Sequence, residues 1–266
     1  MNESLVKYLA GLLDADGCLS FEHHDRYDGR VRIGLKLGLV SSDTIDRHGF
    51  VASLPILTGM GATSQREGTN GSKYTSWTVC HRNELEMILP RLIKHMVIKA
   101  KHWQWLLDFW RDWRFQEKGQ KSMSQEEWQT LYKAYKDSRR NRVGPIFPKN
   151  HPTWAWVAGY LDGDGCYSFR TSKNHNMRIS ATAHVLDSSV LEFLQRSFGG
   201  TIRNYSGTEN IKVWWRGLGP MNRDFALKFL SRLVKHSRLK KHKLEQMICY
   251  HRQRLSVSAP MGEAIV

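Results

Sequence analysis

Two aspartates, Asp16 and Asp164, hold the same place in a motif that occurs twice. The first copy reads Leu9-Ala10-Gly11-Leu12-Leu13-Asp14-Ala15-Asp16-Gly17-Cys18 and the second Val157-Ala158-Gly159-Tyr160-Leu161-Asp162-Gly163-Asp164-Gly165-Cys166. Seven of the ten positions are identical, so the chain is two copies of one unit, each bringing one carboxylate to one place. Each aspartate ends an apolar stripe of helical spacing, at the negative end of a helix dipole, and the pair repels. Divalent cations between the carboxylates relieve both costs, and hard oxygen donors, with backbone carbonyls and water, suit Mg2+. Metals held by paired carboxylates beside a basic groove are suited to hydrolysing phosphodiesters on two strands.

The elements that must position these carboxylates repeat as well. Leu5, Tyr8, Leu9 and Leu12, and then Trp156, Val157 and Tyr160, mark an amphipathic helix running into each motif. Gly11 with Ala15, and Gly159 with Gly163, form stripes of small residues that let two helices approach with backbones nearly in contact. Gly17 and Gly165 read as helix-ending C′ residues. After each motif the pattern alternates, with Leu19 and Phe21, or Tyr167 and Phe169, facing a core. A second strand carries Ile33, Leu35, Leu37 and Leu39 in one half, and Ile179, Ala181 and Ala183 in the other. Helices are expected at Asp43–Leu57 and Asp187–Phe198. They lead into glycine turns at Gly59-Met60-Gly61 and Gly199-Gly200, then strands near Ala62–Arg66, Tyr74–His81, Thr201–Tyr205 and Ile211–Arg216. Each unit closes with a helical tail, Asn83–His95 running on through Lys99–Phe115, and Asn222–His236 through Arg238–Arg254. The fold class is therefore α+β: two pseudo-symmetric αββαββα units, each with one four-stranded antiparallel sheet, packed through their motif helices.

These boundaries give an N-terminal unit at 1–115, a linker at 116–150, a C-terminal unit at 151–256 and a tail at 257–266 expected to be disordered. Within the linker, Ser124-Gln125-Glu126-Glu127 reads as a capping box opening a short helix with Trp128, Leu131, Tyr132 and Tyr135, which would pack on one of the units. The chain has 266 residues, 41% of them hydrophobic, enough to bury a core or two. Its net charge of +15 points to a polyanionic partner. The basic residues recur on strand faces and turns, whereas a membrane surface would want them on an amphipathic helix. No apolar run is long enough to span a membrane, and the first residues do not read as a signal peptide. The four cysteines show no CxxC spacing, which disfavours structural zinc or a disulfide framework and fits a reducing compartment.

Leu9–Gly17 departs from the signature of the LAGLIDADG homing endonucleases at one position, Leu13 for Ile, and Val157–Gly165 is a degenerate copy of it. The chain resembles the monomeric, two-motif branch of that family. The resemblance implies saddle-shaped sheets in the major groove of a long double-stranded DNA target. It also implies Mg2+-dependent cleavage of both strands with 3′ overhangs, with Ca2+ or Mn2+ able to substitute in the site. By that resemblance Asp16 and Asp164 are metal ligands, the carbonyls of Ala15 and Gly163 complete part of the shell, and Lys99 and Lys240 sit near the scissile phosphates. The DNA-facing set would be Ser20, Glu22, His24, Arg26, Arg30, Arg32, Lys36, Arg66 and Lys73 in one half. In the other it would be Ser168, Arg170, Ser172, Lys173, Arg178, Ser180, Arg203, Lys212 and Arg216. A glutamine that often positions solvent in the family is missing here: its place falls at Ser41 or Ser42, and at Val185. Differences between the halves predict a non-palindromic site. The expected compartment is the one holding the target DNA. Two other readings are an intron RNA maturase and a cleavage-dead DNA-binding protein of the same fold. Maturase and endonuclease activities can coexist in one chain; the intact aspartates argue against a pure maturase and against the cleavage-dead protein, since neither needs them.

Overall fold

A computed structural model of the chain describes residues 1–24, 30–41, 45–68, 71–114, 124–140, 153–169, 177–184, 188–205, 212–217 and 223–257. The first unit runs α1 (Glu3–Asp16), β1 (Gly17–His24), β2 (Arg30–Ser41), α2 (Ile45–Thr58), β3 (Ala62–Glu67), β4 (Lys73–Val79), α3 (Arg82–Ile93) and α4 (Ala100–Arg114). A linker helix, α5 (Gln125–Arg140), follows. The second unit repeats the order: α6 (Trp154–Asp164), β5 (Gly165–Phe169), β6 (Met177–His184), α7 (Ser188–Phe198), β7 (Thr201–Tyr205), β8 (Lys212–Gly217), α8 (Arg223–Leu233) and α9 (Lys241–Val257). Both sheets are antiparallel, ordered β1-β2-β4-β3 and β5-β6-β8-β7.

The motif helices start at side-chain caps. Asn2 Oδ1 accepts from the Leu5 N–H at 2.8 Å, and Thr153 Oγ1 from the Trp156 N–H at 3.4 Å. α1 packs directly on α6. A Cβ on Gly11 would overlap the Trp156 carbonyl oxygen, and one on Gly159 the Tyr8 carbonyl oxygen, so only glycine permits this approach. With α6 on one side and its own sheet on the other, α1 buries Leu5, Val6, Leu9, Leu12 and Leu13 nearly all round rather than along one stripe. Each fully buried leucine contributes about 2 kcal/mol of transfer free energy.

Gly17 and Gly165 differ from the sequence expectation. Both are extended (φ −75° and −83°), not left-handed. Glycine is required there because a Cβ would press on the preceding turn: on Leu13 at Gly17, and on the Leu161 carbonyl at Gly165. The long tails are also each broken in two, α3 from α4 and α8 from α9. The glycine turns do form as expected, with positive φ at Gly59, Gly61, Gly199 and Gly200.

The linker helix packs on the first unit. Ser124 and Glu127 close the capping box reciprocally, at 2.8 and 3.2 Å. Tyr135 donates its hydroxyl to the Leu19 carbonyl at 3.1 Å, and Trp128 and Tyr135 lie against Phe21. The expected tail falls outside the described residues from 258 onward, as do 115–123 and 141–152 of the inter-unit segment.

Candidate active site and nucleic-acid face

The close α1–α6 approach sets the two motif ends beside each other. Asp16 is exposed and Asp164 half-buried. The Asp16 Oδ2 atom is 2.9 Å from where a Cβ on Gly163 would sit, so the carboxylate of one unit lies over the motif backbone of the other. Among the described residues no group of three His, Cys, Asp or Glu side chains could hold a metal ion. The protein's offering is therefore two carboxylates and nearby carbonyl oxygens, all hard donors. That set fits a hard divalent cation such as Mg2+ or Ca2+.

Each lysine lies under its motif end. Lys99 Nζ donates to the carbonyls of Leu13 (2.9 Å), Ala15 (3.1 Å) and Gly17 (2.7 Å). Lys240 Nζ donates to those of Leu161 (3.0 Å), Gly163 (3.2 Å) and Gly165. Three ammonium protons thus meet three carbonyls at the negative end of a helix, an arrangement that both ties the turn down and offsets the dipole. The family resemblance put these lysines near the scissile phosphates. In the structure they hold the backbone that carries Asp16 and Asp164, and the Ala15 and Gly163 carbonyls already accept from them. Lys240 is 9% exposed, with its Nζ 5.5 Å from the Tyr167 ring centroid.

The first aspartate of each motif explains the break in each tail. Asp14, 2% exposed, accepts from the N–H groups of Val97 (2.7 Å), Ile98 (3.2 Å) and Lys99 (2.9 Å), and from Trp156 Nε1 (3.0 Å). Asp162, also 2% exposed, accepts from the N–H groups of Arg238 (2.8 Å) and Leu239 (3.0 Å), from Ser237 Oγ (2.7 Å) and from Tyr8 Oη (2.8 Å). A buried carboxylate that captures consecutive N–H groups serves as an N-terminal cap supplied from another element, so α4 and α9 begin anew there. Burial lifts the Asp14 carboxyl above its ordinary value; the N–H groups of Val97 and Lys99, the Lys99 charge and the Trp156 N–H oppose it. From sequence Tyr8 and Trp156 read only as members of the apolar stripes, and their bonds to these two aspartates were missed. The available signal was that both are aromatic donors three residues before the motif glycine.

The sheet register sorts the expected DNA contacts. In the first sheet the positions of Ser20, Glu22 and His24 share a face with Arg30, Arg32, Lys36 and Arg66, opposite the core face of Leu19, Phe21 and Ile33. Lys36 and Arg66 are exposed there. Ser20 donates its hydroxyl to the Gly34 carbonyl at 3.0 Å. Lys73 is a correction: it pairs with Ser41 and Glu67 and alternates with Thr75 and Trp77 on the helix-covered face. There it lines a cavity of about 520 Å³ with His48, Gln65 and Glu67. In the second sheet Ser168, Arg178, Ser180, Arg203, Lys212 and Arg216 share one face by register. Ser180 is a second correction, at 4% exposure. It takes the place that Lys36 holds in the first sheet, and on a central strand its short side chain does not emerge. Tyr74, absent from the expected set, brings its hydroxyl end over Gly38 on the first sheet's polar face, with Lys36 Nζ 5.8 Å from its ring centroid. Arg26, Arg170, Ser172 and Lys173 lie outside the described residues, as do Ser42 and Val185.

Two αββαββα units sharing one paired-carboxylate site, with a polar face on each sheet, define a tandem, pseudo-twofold α+β protein. A family model described as LAGLIDADG endonuclease matches residues 9–110. The chain is 23% identical over 197 residues to "Probable intron-encoded endonuclease aI3" of Dictyostelium citrinum, covering 72% of this chain and 74% of that one. It is 35% identical over 57 residues to "Probable intron-encoded endonuclease aI2" of Debaryomyces hansenii, a stretch that is 21% of this chain and 8% of the relative's length. Among solved structures, the LAGLIDADG homing endonuclease I-GzeII in complex with its DNA target superposes with a TM-score of 0.70 at 17% identity, covering 97% and 93% of the two chains. Meganuclease I-SmaMI bound to uncleaveable DNA gives 0.65 at 17% identity, covering 97% and 92%. I-SmaMI bound to uncleaved DNA in the presence of calcium ions gives 0.63 at 16%, covering 97% and 94%. Residues 9–110 thus match the LAGLIDADG endonuclease model, and the whole chain shares its fold with the solved LAGLIDADG homing endonucleases.

Proposed function

We propose that this chain is a site-specific homing endonuclease. It acts as a monomer and makes a staggered double-strand break with 3′ overhangs in a long, non-palindromic DNA target. The observation that carries the reading is the convergence of Asp16 and Asp164 at the base of the α1–α6 contact, each on a turn tied down by a lysine. Divalent cations, Mg2+ as the working ion, would be held by Asp16 and Asp164 and would supply an activated water and charge neutralisation at the phosphate. The Lys99 and Lys240 ammonium groups fix the carboxylate-bearing turns and add positive potential where the phosphate approaches. The polar sheet faces, with Lys36 and Arg66 exposed on one, supply phosphate and base contacts. The compartment would be the one holding the target DNA.

The test is cleavage of a randomised duplex library with Mg2+, alongside Asp16→Asn and Asp164→Asn. A single long site cut on both strands by the wild type, with each variant binding that site but losing double-strand cleavage by at least about a hundredfold, is the expected result. A wild type that binds and does not cut overturns the nuclease reading. Structured intron RNA would then be the next ligand to test.

A further inference from the structure

Each buried motif aspartate joins two things that belong to different units. Asp14 holds the 97–99 loop of its own unit and accepts from Trp156 of α6. Asp162 holds the 238–239 loop of its own unit and accepts from Tyr8 of α1. Those loops lead straight into Lys99 and Lys240, whose ammonium groups anchor the turns bearing Asp16 and Asp164. Tyr8 and Trp156 occupy the same position of the repeat. Neither touches the paired-carboxylate site itself, yet each bonds the group that locates the other unit's lysine.

We infer that Tyr8 and Trp156 are positioning residues that act in trans: Tyr8 sets the Lys240–Asp164 half-site and Trp156 sets the Lys99–Asp16 half-site. The physical reason lies in the hydrogen-bond inventory of each carboxylate. Asp14 has three backbone donors and one indole, and Asp162 two backbone donors and two hydroxyls. Removing the cross-unit donor leaves a buried carboxylate short of one partner, and its remaining bonds, all to the lysine loop, must readjust. The effect falls on one half-site because the other aspartate keeps its full set. The two half-sites are thereby coupled through α1 and α6.

For its strand-specific readout the inference rests on the nuclease reading, so the test has two arms. Tyr8→Phe removes one hydroxyl and keeps the ring; Trp156→Phe removes the indole N–H. In the first arm, full-length protein is followed by amide hydrogen exchange without DNA. Tyr8→Phe should speed exchange at Arg238 and Leu239 about tenfold and leave Val97 to Lys99 unchanged, and Trp156→Phe should do the reverse. In the second arm each strand of the target duplex carries its own end label, and Lys99→Met and Lys240→Met identify the strand each unit serves. Tyr8→Phe should slow, about tenfold, the strand that Lys240→Met slows, and leave the other within about twofold. Faster exchange in both loops alike, in neither loop, or in the loop of the mutated residue's own unit overturns the inference, as does equal slowing of both strands. A wild type that cuts no duplex overturns the nuclease reading, and the exchange arm still decides this one.

Discussion

At the scale of single residues, glycine does the most specific structural work. Gly11 and Gly159 let two helix backbones touch, and a methyl group at either would overlap a carbonyl of the opposite helix. Gly159→Ala should cost about 3 kcal/mol or more and lower the melting temperature by several degrees, because neither backbone can yield without moving its own sheet. Gly49, in α2, is the control: nothing lies within 4 Å of a Cβ there, so Gly49→Ala should raise stability by about 0.5–1 kcal/mol in the same melt. His236 gives a pH prediction. Partial burial, with the Lys235 charge adding to it, holds its imidazole below the ordinary 6.5. The unfolded chain therefore takes up a proton first as pH falls, and the native state loses stability below about pH 6.5, a slope that His236→Gln should flatten in denaturant titrations. The repeat put Asp16 and Asp164 at matching helix ends, and the period-2 alternation gave the strand faces. The cross-unit bonds of Tyr8 and Trp156 were not readable from sequence, because a hydrogen bond spanning 154 positions leaves no local period.

At the scale of elements, the strands were the most legible, since alternation survives any packing. The sequence places β7 at Thr201–Tyr205, as the structure does. The helical tails were less so. Residues 82–114 keep a helical apolar pattern through the break, and nothing local marks the stop, because the cap that restarts α4 is the Asp14 carboxylate from another helix. For α5 the two ends of the hierarchy can be compared. Ser124→Ala removes an exposed cap and should cost about 1 kcal/mol. Tyr135 is buried among Phe21, His102 and Tyr132 and donates to the Leu19 carbonyl, so Tyr135→Ala should cost about 3 kcal/mol or more. Comparable losses for the two in urea unfolding would mean that α5 rests on the first unit without contributing to its core.

At the scale of the whole molecule, the element order and the strand order repeat between the halves, and the polar faces differ. The cross-strand partner of Ser20 is Gly34 and that of Ser168 is Arg178; the partner of Cys18 is Lys36 and that of Cys166 is Ser180. A cation is therefore shifted by one pair along the second strand between halves. The natural target should bind at least about tenfold more tightly than either perfect palindrome built from its half-sites, each mismatched contact costing about 1–3 kcal/mol. Filter binding of the three duplexes at one fixed salt concentration checks this, and equal affinities would contradict it. With a net charge of +15, affinity for all three should fall steeply with salt.

The sequence by itself determined the duplication, the αββαββα order, the two carboxylates and the basic polar faces, because repeats and periods of 2 and 3.6 are local properties of the chain. Tertiary structure alone decided what restarts α4 and α9, that Lys73 turns away from the polar face, and that Ser180 does not emerge from it. Each of those depends on a neighbour far along the chain, brought near by a motif-helix carboxylate that captures a loop or by sheet register. Contacts between residues far apart in the chain follow from the fold rather than from any window of it.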